Sequence, residues 1–320
     1  MLSPRARQAL VVGGGYAGVL AANRLAHRLP AGDALTLLTD DDALLDRIRL
    51  HEALARGRPA RVPLERLLHP RVRLRRGRAR ALDGARRTVR TDEGDLPFDA
   101  LLLAVGSRLS APCPGVAAHA HGLRDEDAAR GAFRRLCALP PGSPVVVLGG
   151  SLTALETAAE IAEAHPALRV TLAARSFAPT LAPEGAAAAQ RVLDGLGVIV
   201  RAPTTCVGVT DDAVRLDDGT SLPAALAVWA GGFDAAGPAL ESDLRRDAQG
   251  RLCVRDDLSA PDLEGVFVAG DAAAPTAALP FLRMAARARC PWARPRPTTS
   301  RRGAADAPRR RTASRSGCSA

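Results

Sequence analysis

The sequence predicts an α/β protein in which one parallel-stranded unit occurs twice, and three observations carry that expectation. An apolar run, a glycine-rich turn, a helix-period segment and a second apolar run follow one another across residues 8–39, and the same order returns from residue 144, displaced by 136 residues. Each copy leads into a stretch broken by Asp/Gly turns, and both stretches end alike: 96–106 lies on 222–232 at an offset of 126, with Leu, Pro, Ala and Gly coinciding at four places. Composition supplies the third observation. At 320 residues, 47% hydrophobic and 3% aromatic, the chain can bury one large or two ordinary cores, which excludes collagenous, disulfide-scaffold and fully disordered classes.

Taken in order, Gln8 to Val12 reads as a short buried strand and residues 13–18 as a glycine loop. Residues 17–29 read as a helix with Val19, Ala22, Ala26 and Leu29 on its apolar face, stopped by Pro30 and Gly32. Residues 35–39 form the second strand. In the repeat, 145–148 is a strand, Gly149-Gly150-Ser151 a tight turn, 152–164 a helix and 169–173 a strand. Residues 78–98 and 206–222 read as β-meanders with turns at Asp83-Gly84, Glu93-Gly94, Asp211-Asp212 and Asp218-Gly219. An apolar strand at 266–269 ends in Gly270-Asp271. Beyond Met284 periodicity is lost, and an Arg/Pro-rich composition predicts a disordered tail over 285–320.

The net charge of +10 raises the question of a polyanion partner. All 44 basic residues other than histidine are arginine, and ten of them stand in 285–320 against one acid, whereas residues 1–284 hold 34 arginines and 33 acids. The body is therefore nearly neutral, and no specific nucleic-acid partner is expected of it. A polyanion- or membrane-surface-binding role could rest on the tail alone, without the aromatic interleaving of a nucleic-acid surface. Six cysteines, no two closer than 24 residues, form neither a C-x-x-C pair nor a zinc cluster and fit a reduced cytoplasmic compartment. His119 and His121 lack a third ligand nearby, so no metal is expected. Arg5 and Arg7 ahead of an apolar run imitate a signal peptide, but the glycines at 13–15 and 18 would break its helix. No uncharged apolar run reaches the roughly 18 residues a membrane span needs.

The chemistry lies in the turns. Gly13, Gly15 and Gly18 form G-x-G-x-x-G between a strand and a helix, with Gly14 inside the motif. The first glycine permits the tight turn, the second lets the backbone approach a pyrophosphate, and the third lets helix and strand pack. The pyrophosphate then meets the free amides of the helix start. A carboxylate is wanted at the end of the second strand for the ribose; Thr39 holds the expected place and Asp40 follows it, making Asp40 the candidate. The second fingerprint reads Gly149-x-Ser151-x-x-Ala154 with Gly150 between, and Ser151 sets a side chain where backbone should meet phosphate. Its second strand ends without an acid but with Arg175, which suits a 2′-phosphate or is simply one more solvated arginine. Glu156, Glu160 and Glu163 follow at helical spacing; they form an acidic solvent face, or Glu156 faces the reacting rings and handles protons or ribose contacts.

Together the Gly13 fingerprint, the strand ends at Ala104-Val105-Gly106 and Trp229-Ala230-Gly231, the second fingerprint and Ala269-Gly270-Asp271 resemble the pyridine nucleotide-disulfide oxidoreductase superfamily. The likeness is strongest to its type II NADH dehydrogenase and apoptosis-inducing-factor-like branch, and Arg47-Ile48-Arg49-Leu50-His51 resembles a segment of bacterial members. The resemblance covers about residues 1–284. It implies two Rossmann-like three-layer (ββα) dinucleotide-binding domains, the NAD(P) domain inserted in the FAD domain. Residues 1–110 and 234–284 would form the FAD domain and 111–233 the NAD(P)H domain. FAD would be held by Gly13, Gly14, Gly15, Gly18, the Thr39-Asp40 region, Gly106, Gly270 and Asp271; Gly149, Gly150, Ser151, Ala154, Arg175 and Gly232 would serve the nicotinamide cofactor, and Glu156 would be catalytic. Hydride would pass from nicotinamide to flavin. With no dithiol in the sequence pattern, electrons would go to an outside acceptor, a quinone in the type II branch, with peripheral contact at the inner face of the membrane. The family continues past Met284 with a helix completing the flavin site. The abrupt change there predicts a reading-frame change near 285–290, and with it the alternative of a flavoprotein that binds FAD weakly or is inactive.

Overall fold

Two five-stranded parallel sheets organise the chain, and a computed structural model describes residues 6–110, 113–235, 240–274 and 276–277 of it. The tail over 285–320 lies outside the described residues.

The first sheet begins with β1 (Gln8–Val12), then α1 (Tyr16–Ala26) and β2 (Ala34–Thr39). A short antiparallel pair, β3 (Ala43–Leu45) and β4 (Arg61–Pro63), brackets α2 (Leu50–Arg56). Strand β5 (Arg73–Arg76) then pairs with β2. The meander β6 (Ala79–Asp83), β7 (Thr88–Thr91), β8 (Gly94–Pro97) leads to β9 (Ala100–Leu103), parallel to β1 on its other side. Strand β10 (Ser107–Leu109) carries the chain away.

The second sheet repeats the plan. After α3 (Val116–His119), β11 (Ala120–Gly122) and α4 (Glu126–Ala138) come β12 (Pro144–Leu148), α5 (Leu152–Ala164), β13 (Arg169–Ala173), α6 (Pro183–Gly195) and β14 (Ile199–Arg201). The meander β15 (Cys206–Val209), β16 (Ala213–Leu216), β17 (Ser221–Pro223) leads to β18 (Leu226–Trp229). Strand β19 (Phe233–Ala235) returns antiparallel to β10, and β20 (Val266–Val268) rejoins the first sheet.

The strand orders are β20-β9-β1-β2-β5 and β11-β18-β12-β13-β14. Four positions correspond one to one. The fifth differs: the neighbour of β18 comes from residues before β12, whereas the neighbour of β9 arrives only after the whole second sheet is complete. Both faces of each sheet are covered, which is why its strands read as continuous apolar runs. Ala9 and Val11 face the α1 side with Val19, Ala22 and Leu25, while Leu10 and Val12 face the meander with Leu82, Val89 and Leu96. The second sheet packs Val145 and Val147 against α4, α5 and α6, and Val146 and Leu148 against its own meander. Helix, parallel sheet and antiparallel meander are the three layers that the family resemblance implies.

Two local differences have simple causes. Helix α1 starts one residue early, at Tyr16, and closes at Ala26 with His27 as its cap; Leu29 follows in a turn and still packs on the same core. The acidic face of α5 is not simply solvated. Helix α2 docks on it, burying Leu50 and Leu54 against α4 and α5, and Arg56 pairs with Glu160 and, at 2.7 Å, with Glu163.

Candidate functional site

Each sheet reverses its winding at its central strand, between β1 and β9 and between β12 and β18, and the glycine turns stand at the carboxyl ends of β1 and β12. Ligands of open parallel sheets bind in such crevices.

At the first turn, Gly13 has a φ of +115°, and a Cβ there would stand 2.2 Å from the Ala104 carbonyl oxygen. At Gly18 a Cβ would stand 1.8 Å from the Gly13 carbonyl oxygen, so α1 can approach the strand only with glycine there. Gly15 behaves oppositely. Its missing Cβ faces open space, and as N-cap of α1 it offers no side chain to the first free amides. The turn therefore leaves open space beside the uncapped amides at the start of α1.

Thr39 and Asp40 divide the ribose position. Thr39 is buried against Gly14, where a Cβ would come 2.7 Å from its Oγ1, and that hydroxyl accepts the Asp41 amide at 3.3 Å. Asp40 is exposed, with Arg78 Nε 3.5 Å from its carboxylate. Gly106 follows β9 in the left-handed region with open space beside it. Gly270 closes on the start of α1, where a Cβ would meet Ala17 Cβ at 3.1 Å. Asp271 accepts a 2.6 Å hydrogen bond from Ser107 Oγ, a residue of the crossing strand β10. The structure thus brings Gly13, Gly106, Gly270 and Asp271 to one edge from stretches 258 residues apart in the sequence.

The second turn is built on the same logic. Gly149, with a φ of +135°, would clash with the Ala230 carbonyl, and Gly150 with the Ser176 carbonyl at 1.8 Å, if either carried a Cβ. Ser151 caps α5 without a side-chain bond to its amides and is exposed. Ala154 is buried on the core side of α5, and Gly232 has open space at a φ of +142°. Arg175 is exposed just past β13. Glu156, in the second turn of α5, has a side chain 55% exposed, with His51 Nδ1 of α2 4.0 Å from its carboxylate.

Several site contacts had no sequence signal. The Tyr16 hydroxyl, inside the first fingerprint, donates to Asp46; burial and that carboxylate push its pKa well above the ordinary tyrosine value. This bond ties the turn to the segment leading into α2. Cysteine spacing also misleads: Cys113 and Cys206, 93 residues apart, bring their sulfurs within 3.3 Å. They lie in the core beneath the second meander, with Val146, Leu148 and Trp229.

Comparison with known proteins agrees with this architecture. The family described as pyridine nucleotide-disulphide oxidoreductase matches residues 7–299. An NADH dehydrogenase-like protein of Mycobacterium tuberculosis is 31% identical over 293 residues, covering 83% of this chain and 72% of that protein. A type II NADH:quinone oxidoreductase of Staphylococcus saprophyticus is 24% identical over 305 residues, covering 84% and 75%. Among solved structures, an engineered water-forming NADPH oxidase bound to NADPH superposes with a TM-score of 0.70 at 19% identity, covering 84% of this chain and 63% of that one. The chain spans as little as 51% of other solved structures of the same fold.

Proposed function

The chain belongs to the pyridine nucleotide-disulphide oxidoreductase family, and from that premise we propose that it is an FAD-dependent NAD(P)H oxidoreductase whose electrons leave to a quinone or another small acceptor. The observation that carries this reading is the pair of glycine turns, each at the winding reversal of its own parallel sheet.

In this reading the first sheet, residues 1–110 and 234–284, holds FAD and the second, 111–233, holds the nicotinamide nucleotide. Gly13, Gly14, Gly15 and Gly18 admit the FAD pyrophosphate onto the uncapped start of α1. Thr39 and Asp40 serve the adenosine ribose, and Gly106, Gly270 and Asp271 the remainder. The Ser107 hydroxyl donates to one Asp271 carboxylate oxygen, which leaves the other to accept from the cofactor. When bound, FAD would supply the two-electron carrier between the nicotinamide nucleotide and the acceptor. Gly149, Gly150, Ser151, Ala154 and Gly232 receive the dinucleotide, and the Ser151 hydroxyl replaces one backbone contact with a hydrogen bond. Glu156 is the proposed catalytic carboxylate, with His51 Nδ1 4.0 Å from it.

Arg175 gives the site its preference. Burial is low and no acid stands at the end of β13, so the guanidinium is available to a 2′-phosphate and NADPH is favoured over NADH. The engineered NADPH oxidase carries three consecutive substitutions to Ala, Arg and Ser; this chain has Ala174-Arg175-Ser176 after β13.

The relative named as an NADH:quinone oxidoreductase supports a quinone acceptor. Among the described residues no helix is long and apolar enough to cross a membrane, so contact with a quinone pool would be peripheral. NADPH oxidation by the purified chain with a water-soluble quinone is the test. FAD-dependent turnover is expected, and no oxidation with quinone, ferricyanide or dioxygen as acceptor would overturn the reading.

A further inference from the structure

The Cys113–Cys206 contact is more than two thiols sharing a core. Ser110, just past β10, and residues 113–115 are fastened to the second meander and its strand β18 at several points. Trp229 Nε1 donates to the Ser110 carbonyl at 2.6 Å, and the Val209 amide donates to the Pro114 carbonyl at 3.0 Å. Gly115, with a φ of +79°, lies so close to β15 that a Cβ would stand 1.9 Å from the Val209 carbonyl oxygen. Opposite, Cys206 sits at an irregularity in the β15–β16 ladder, and the Asp217 carboxylate accepts from the Thr204 hydroxyl and the Thr205 amide just before it. The backbones on both sides are therefore held, and the sulfurs face each other at 3.3 Å.

We infer that Cys113 and Cys206 are a modification site that closes to an intramolecular disulfide when the protein meets a low-molecular-weight disulfide such as oxidised glutathione. Cys206, the more accessible of the two, loses its proton and attacks the glutathione disulfide, forming a mixed disulfide and releasing one glutathione thiol. Cys113, 9% exposed and already in contact, then attacks the Cys206 sulfur and releases the second. Two protein thiols are oxidised, one small disulfide is reduced to two thiols, and one S–S bond replaces another. Burial and the neighbouring thiol push the Cys206 pKa up to about 12, so the first step is slow at neutral pH and the second, intramolecular step outpaces it. The exposed Cys137 provides the contrasting behaviour: with no cysteine beside it among the described residues, it stops at the mixed disulfide. Closure would lock Cys113 and its neighbours Pro114 and Gly115 to β15 of the second meander.

The test is to treat the reduced full chain with excess oxidised glutathione, alkylate the free thiols, and map the products by peptide mass spectrometry. A linked 113–206 peptide pair, two hydrogens lighter than its parts and reversed by dithiothreitol, is expected in at least tenfold excess over any other cross-link; urea-unfolded chain should show no such excess. In Cys113→Ser, Cys206 should accumulate as its glutathione adduct; in Cys206→Ser, Cys113 should stay free. Stable glutathionylation of Cys206 in the unsubstituted chain, or both thiols remaining free while Cys137 reacts, overturns the proposal. The unsubstituted chain carries the decision, so a variant that fails to fold does not weaken it.

Discussion

Gly18 and Gly15 occupy one motif for opposite reasons, and substitution separates the crowded Gly18 from Gly32, a glycine in open space outside the motif. A methyl at Gly18 must displace the Gly13 carbonyl and with it the turn, so Gly18→Ala should cost about 1–3 kcal/mol of stability and weaken FAD binding at least tenfold by fluorescence titration. Gly32→Ala, where the added carbon meets nothing within 4 Å, should change stability by less than about 0.5 kcal/mol. Equal effects at the two positions would contradict the packing argument. At the second turn, Arg175→Ala should raise KM for NADPH roughly 10- to 100-fold, the worth of charge-assisted bonds to a phosphate, and leave KM for NADH within about twofold. A uniform loss for both nucleotides would return Arg175 to the status of a solvated arginine. These residues were legible because each fingerprint depends on a few neighbouring positions. Asp40 was only half legible, because its pairing with Arg78 depends on a strand end 38 residues away.

Among the elements, α2 joins the first part of the chain to the helices of the second sheet. Leu54 is fully buried between α4 and α5, and Leu54→Ala should destabilise the chain by about 2–5 kcal/mol, seen as a lower denaturant midpoint with the glycine turns untouched. Helix α4 depends on Asp125, whose carboxylate accepts the Ala128 amide at 2.8 Å. Burial works to raise the pKa of Asp125, but the Ala128 amide and Arg124 outweigh it and hold the carboxyl below the ordinary aspartate value. With the folded pKa depressed, the cap contributes fully above the unfolded aspartate value and is lost as pH falls through the folded one. Asp125→Ala should therefore cost about 0.5–1 kcal/mol at pH 7, and the difference from the unsubstituted chain should vanish in acid melts well below pH 4. The duplicated strand-turn-helix units were readable because apolar period and turn chemistry are local signals. The clamp was not: Arg56 and Glu160 are 104 residues apart, and a run of glutamates on one helix face looks the same whether solvent or a guanidinium meets it.

At the level of the whole molecule, the informative feature is the order in which the chain builds its sheets. It lays down four strands of the first, crosses on β10, completes the second, returns on β19 antiparallel to β10, and only then adds β20. The first glycine turn therefore needs Gly270-Asp271 from the far end of the described chain, and Ser107 on the crossing strand holds that aspartate. Repeat offsets in the sequence revealed two units. They did not reveal that the fifth strand enters the first sheet late and the second sheet early, because that strand is a bare apolar run in one and a three-residue edge in the other. The central claim is that this assembly retains a flavin which a nicotinamide nucleotide can reduce. The most direct measurement is the visible absorption spectrum of the purified full chain after incubation with FAD and removal of the excess, followed by anaerobic addition of NADPH. A retained flavin band that bleaches on addition is predicted. A chain that emerges colourless, or holds a flavin that NADPH leaves oxidised, would contradict the account.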